Sequence, residues 1–121
     1  MARRWLKAQQ SAKSILICRA AHLLLLRLIN NPAVMRRDVR TVRQAWEISD
    51  RLFADDRFAF VAEPAGIEPV LRQFTSGAAA FTPKVWQYAY LAAFAIKADL
   101  SFVTFDGCFS RFKELSLNLL L

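Results

Sequence analysis

The residue most plainly placed for chemistry is Asp106. It stands directly after residues 101–105 (SFVTF), a short apolar run of the buried-strand type. In open α/β sheets ligands bind outside the carboxyl ends of the strands, which is where this carboxylate falls. An ordinary turn aspartate before Gly107 is the alternative. Other reactive types are sparse. His22 is the chain's one histidine, set among apolar residues; it reads as a ligand or base, or as a packed core side chain, and imidazole suits zinc better than magnesium. Cys18 and Cys108 form no CxxC pair and no zinc spacing. With no histidine near it in sequence, Cys108 is expected to be a small buried hydrophobe rather than a nucleophile. Two basic groups remain: Arg36, Arg37, Arg40 and Arg43, then Arg111 and Lys113 just past Asp106. They read as phosphate contacts or as solvated faces; the solvated reading suits the first group and an RNA contact suits Arg111.

These residues need elements to position them. Residues 82–97 (TPKVWQYAYLAAFAIK) read as a helix with Thr82 as N-cap and Pro83 at the first helical position. From 85 to 96 only Gln87 is strongly polar, so the helix is expected to be covered on most sides. Its alanines, Ala89, Ala92, Ala93 and Ala95, keep it slim enough to pack closely on a sheet. Upstream, residues 2–10 read as an amphipathic helix with Trp5, Leu6 and Ala8 inward. Residues 14–18 (SILIC) are a strand candidate, and residues 20–30 an apolar helix closed by Asn30-Asn31-Pro32. Residues 33–38 read as a basic loop. Residues 41–54 are the cleanest amphipathic helix, with Val42, Ala45, Trp46, Ser49, Leu52 and Phe53 on one face and Arg43, Glu47 and Arg51 at i, i+4 spacing on another. Residues 58–62 (FAFVA) are a strand, a short helix follows with Ile67, Val70, Leu71 and Phe74 inward, residues 76–80 form a small-residue loop, and residues 115–121 can add an edge strand. Strands alternating with helices call for a parallel sheet covered by helices.

The 121 residues suit one domain, spanning 1–121, and 55% hydrophobic with 22% charged residues excludes a disordered chain. A net charge of +7 favours polyanionic partners. Ala2-Arg3-Arg4-Trp5-Leu6-Lys7 is similar to a twin-arginine export signal, but Gln9, Gln10, Lys13, Arg19, His22 and Arg27 interrupt the apolar region such a signal needs. No apolar window reaches the ~20 residues of a membrane span. The expectation is a reduced, cytoplasmic protein with no membrane partner.

The order of motifs resembles a known family. WQYAYLAAFA followed by LSFVTFD resembles the C-terminal half of VapC toxins, the PIN-domain ribonucleases of toxin–antitoxin pairs, whose pattern runs W-x-D-A-Y-L-A-A-F-A and then a hydrophobic strand ending T-F-D. Trp86, Ala89, Tyr90, Leu91, Ala92, Ala93, Phe94 and Ala95 match it, as do Thr104, Phe105 and Asp106. ARRWL resembles the end of the first PIN helix, and ICRAAHLLLLRLINNPAV the second strand and its helix. QAWEISDRLFADDRFAFVAEPAGIEPVLRQFT resembles the middle of one actinobacterial-type subgroup. The resemblance implies a PIN-like α/β/α sandwich with a parallel sheet. It places the family's first strand before residue 1, so that strand is expected to be missing and the domain incomplete at its N-terminus.

It also implies an endoribonuclease hydrolysing RNA phosphodiester bonds with Mg²⁺ or Mn²⁺, a VapB-type antitoxin partner and a homodimer. Asp106 falls at a catalytic, metal-holding position of the family. Tyr88 stands where the family has an acid, and His22 where relatives carry Glu or Gln, so both are degenerate site positions. Arg111 and Thr104 are candidate RNA contacts. One carboxylate is a poor magnesium site, since Mg²⁺ wants several oxygen ligands, and a phenol is a poor substitute. An impaired or inactive toxin is therefore expected. The alternative is a non-catalytic PIN remnant that binds antitoxin or RNA, and a third reading is an unrelated basic helical RNA binder. Tyr88 itself reads as filler in the former metal pocket or as a stacking platform for a base.

Overall fold

The computed structural model describes residues 2–77 and 84–120. Thr82 and Pro83, read above as cap and first helical residue, lie outside the described residues, as do residues 78–80 of the small-residue loop. The chain forms two compact units, residues 3–62 and residues 63 onward. The fold is mixed α/β with parallel strands. Each unit holds one two-stranded parallel sheet, where the alternation of elements had suggested one sheet. Every strand is three residues long and finds its neighbour within its own unit.

In the first unit α1 (Ala2–Ala8) leads to β1 (Ile15–Ile17), α2 (Arg19–Ile29), a one-turn α3 (Pro32–Met35), α4 (Val42–Ala54) and β2 (Phe58–Phe60). β1 pairs with β2 in the register Ile15 to Phe58 and Ile17 to Phe60. Trp5 and Leu6 are half-buried on α1, but Ala8 is exposed, so the inward face of this short helix is narrower than its spacing suggested. The stretch read as a basic loop is instead helical: α3, then a 3-10 turn over Arg36–Asp38. The reason is that Asn30-Asn31-Pro32 both ends one helix and begins another. The Asn31 side chain accepts from the Ala33 N–H at 3.0 Å, and Pro32 takes a first-turn position where its missing N–H costs nothing. Thr41 and Gln44 close a reciprocal capping box at the start of α4, at 3.1 and 3.0 Å. Ala45 and Ser49 are the buried points of its inner face, while Val42 and Trp46 are 62% and 49% exposed. The expected Arg43–Glu47 pair is present at 4.0 Å between well-solvated side chains, and adds little stability. Arg57 is a firmer tie. It is gripped by Asp55 and donates to the Leu6 carbonyl at 2.9 Å, fastening α1 to the entry of β2. Its hydrogen bonds hold the Asp55 carboxyl down at about 2.

In the second unit α5 (Ile67–Ser76) packs on α6 (Val85–Lys97), followed by β3 (Phe102–Thr104), a 3-10 turn (Gly107–Arg111) and β4 (Leu117–Leu119). β4 is the expected added strand, parallel to β3 with Phe102 opposite Leu117. Ala89, Ala92 and Ala93 of α6 are fully enclosed, and Leu91, Phe94 and Ala95 nearly so. The coverage foreseen for this helix therefore holds in its second half, whereas Trp86 near its start is 60% exposed. Asp99 ends the run in a left-handed conformation (φ 55°) that turns the chain into β3.

Candidate functional site

The C-terminal end of β3 gathers four of the side chains that matter. Thr104 Oγ1 accepts from the Asp106 N–H at 3.1 Å, which bends the chain out of the strand. Asp106 Oδ1 then accepts from the Cys108 N–H at 2.9 Å and caps the 3-10 turn. The other carboxylate oxygen, Oδ2, accepts a short hydrogen bond from the Tyr88 hydroxyl, brought in from the first turns of α6. The Tyr88 ring lies stacked on Phe109, with centroids 4.6 Å apart and planes at 21°, and Phe109 is buried. Tyr88 and Asp106 are thus locked together from both sides. Cys108 is exposed, contrary to the buried place expected for it. Phe109, the next residue of the turn, takes the inward position instead.

The electrostatics follow from that pairing. Donation from Tyr88 is the main reason the Asp106 carboxyl sits below its ordinary range, helped by the Cys108 N–H and by the charge of Lys84. The same bond, with burial and the Asp106 charge behind it, pushes the Tyr88 phenol up to about 12. Tyr88 is therefore a neutral donor at physiological pH. Arg111 lies with its guanidinium 6.0 Å from the Tyr88 ring centre, and Lys84 places its ammonium at 5.9 Å.

His22 belongs to the other unit. It is 1% exposed, and both ring nitrogens are engaged: Nε2 with Ser49 Oγ at 2.8 Å, Nδ1 with an Arg19 guanidinium nitrogen at 3.0 Å. Because Arg19 can only donate, Nδ1 accepts and Nε2–H donates to Ser49. The rings of Trp46, Phe53 and Phe60 surround it at 5.1 to 5.8 Å. Burial first, and the Arg19 charge second, lower its pKa, so it is a neutral core histidine with no lone pair left for a metal.

These groups do not fit the divalent cation that the resemblance implies. One Asp106 oxygen accepts a hydrogen bond from the phenol O–H and the other from a backbone N–H, and the phenol offers hydrogen rather than a lone pair. Among the described residues no three His, Cys, Asp or Glu come together as a cage. Asp99 lies at the opposite end of β3, and Glu114 is exposed beyond the 3-10 turn. Sequence reasoning did not single out Lys84, Phe109, Arg19 or Ser49 as partners of these side chains. The i, i+4 spacing of Lys84 and Tyr88, and the i, i+3 spacing of Arg19 and His22, were the available signals.

No family model matches the chain. It is, however, 37% identical over 122 aligned residues to ribonuclease VapC41 of Mycobacterium tuberculosis, in strain CDC 1551 / Oshkosh and equally in strain ATCC 25618 / H37Rv. The alignment takes in 98% of this chain and 83% of each relative.

Proposed function

This chain belongs to the VapC ribonuclease family, and on that premise we propose that it is a ribonuclease toxin by descent whose acid site no longer supports efficient metal-assisted cleavage. Its helices and short parallel strands accord with a PIN-like α/β/α fold. The observation that carries the proposal is the Tyr88–Asp106 hydrogen bond, which occupies the one retained acid with a neutral phenol. The relatives are named as ribonucleases, so RNA is the substrate class to test, and a VapB-type antitoxin is the partner that the family suggests. A homodimer and a cytoplasmic location belong to the same reading, and no helix among the described residues is long and apolar enough to cross a membrane.

A second reading rests on the same bond: a PIN module that retains antitoxin or RNA binding without cutting. Purified chain is incubated with single-stranded RNA and Mg²⁺ or Mn²⁺, beside Tyr88→Asp and Asp106→Asn. The proposal expects background cleavage from the parent and metal-dependent cleavage gained in Tyr88→Asp. A gain separates an enzyme silenced at one position from a module that only binds. Metal-dependent cleavage by the parent that disappears in Asp106→Asn would overturn both readings.

A further inference from the structure

Beside the Tyr88–Asp106 pair the second unit holds a cavity of about 400 Å³. Gln73 and Phe74 of α5 line one side, and Arg111, Phe112, Lys113 and Glu114 line another. That volume lies in the range of small-ligand pockets. The wall joins two kinds of surface. Phe74 and Phe112 meet with ring centres 4.9 Å apart, forming an aromatic floor. Arg111 and Lys113 bring positive charge, and among the described residues neither forms an ion pair. Glu114 is the one acidic group in the lining and Gln73 the one amide.

Arg111 links this cavity to the acid site. Its guanidinium lies 4.8 Å from the ring centre of Phe112, in the cavity wall, and 6.0 Å from that of Tyr88. A flat cation resting on an aromatic face is pre-oriented and still presents its N–H donors outward, the arrangement that suits a phosphate. Aromatic rings beside cations suit a base attached to that phosphate.

We propose that this cavity is a metal-independent ribonucleotide subsite, in which Arg111 and Lys113 hold the phosphate of single-stranded RNA and the Phe74–Phe112 floor receives a base. The proposal rests on the ribonuclease ancestry for the choice of RNA, but not on any surviving cleavage. Glu114 and Gln73 are then the polar groups that can read the sugar or the base edge.

The test is fluorescence anisotropy of a labelled single-stranded RNA hexamer in EDTA, with adenosine 5′-monophosphate and inorganic phosphate as competitors. The expected result is saturable binding without divalent metal, competed by the nucleotide well before phosphate. Arg111→Ala should weaken it about tenfold, the scale of one charge-assisted contact. Arg43→Ala, which removes a solvated arginine outside the cavity, should change it less than about twofold. Arg111 is exposed, so its replacement leaves the core intact, and a circular dichroism melt of each variant checks this. No binding in EDTA overturns the proposal. So do equal losses in Arg43→Ala and Arg111→Ala, the signature of unspecific charge, or competition by phosphate as strong as by the nucleotide. Cleavage by the parent in Mg²⁺ overturns the function proposed above and leaves these outcomes unchanged.

Discussion

Protonation of His22 should destabilise the first unit, and the size of the effect can be bounded. The ring is 1% exposed, its Nδ1 accepts from Arg19, and among the described residues no acidic group contacts it; Ser49, Trp46 and Phe53 face it from α4 and Phe60 from β2. A proton on Nδ1 would meet a guanidinium within hydrogen-bonding distance. The folded pKa therefore lies below the ordinary 6.5. The unfolded chain then binds more protons than the folded one below that value, so this contribution is fully present above pH 6.5 and is lost as pH falls. At pH 5.5, one unit below the unfolded value, the loss can reach at most about 1.4 kcal/mol. With a urea dependence of roughly 1–3 kcal/mol per molar, that ceiling corresponds to a midpoint drop of about 0.5–1.4 M. The assay is urea unfolding at pH 7.5 and pH 5.5, for the parent and for His22→Gln. Carboxylates titrate in both proteins, so the difference between their pH dependences isolates the imidazole. The variant should be less stable at pH 7.5 yet less sensitive to acid. An identical loss in both proteins would refute the neutral, buried assignment.

Other consequences can be measured as directly. In a Tyr90→Phe background the remaining tyrosine signal at 295 nm is that of Tyr88. With its phenol pushed up to about 12, about a tenth should be ionised at pH 11, against about nine-tenths at an ordinary pKa of 10. Asp106→Ala should move the signal from the first value towards the second, with far-ultraviolet circular dichroism checking that both proteins stay folded. A raised phenol pKa also means that stability present below pH 10 declines as the solution is made more basic. At the other end of the scale the depressed Asp106 carboxyl contributes stability above its unfolded value that fades as pH falls. Thr41→Ala removes one half of the capping box and should cost about 1 kcal/mol in urea unfolding, while Thr41→Ser should cost less.

Much of the fold was legible because local rules and packing agree. The apolar periodicities gave β1, α2, α4, α5 and α6 within a few residues, and the scarcity of polar residues from 85 to 96 announced the enclosure that holds in the second half of α6. The misreadings have physical causes. Asn31 serves two helices, and a stop signal conceals the start of α3 when only one direction is considered. Cys108 was placed inside because no histidine stands near it to activate a thiol, but the Asp106 cap sets the turn so that Phe109 points inward. At the candidate site the sequence singled out Asp106 and Tyr88 but not their coupling, and it set beside them His22, which lies in the other unit as a core residue. That Tyr88 donates to Asp106 depends on how α6 is placed beside the end of β3, eighteen residues later, and no spacing rule encodes such a contact. The His22–Ser49 bond spans twenty-seven residues for the same reason.

The central claim is that Tyr88 closes Asp106 to divalent metal. A Mn²⁺ titration followed by the electron paramagnetic resonance of free aqueous Mn²⁺ tests it without requiring turnover. The account predicts no saturable site in the parent and a new one in Tyr88→Asp, where a second carboxylate replaces the phenol. One-to-one Mn²⁺ binding by the parent that vanishes in Asp106→Asn would contradict it.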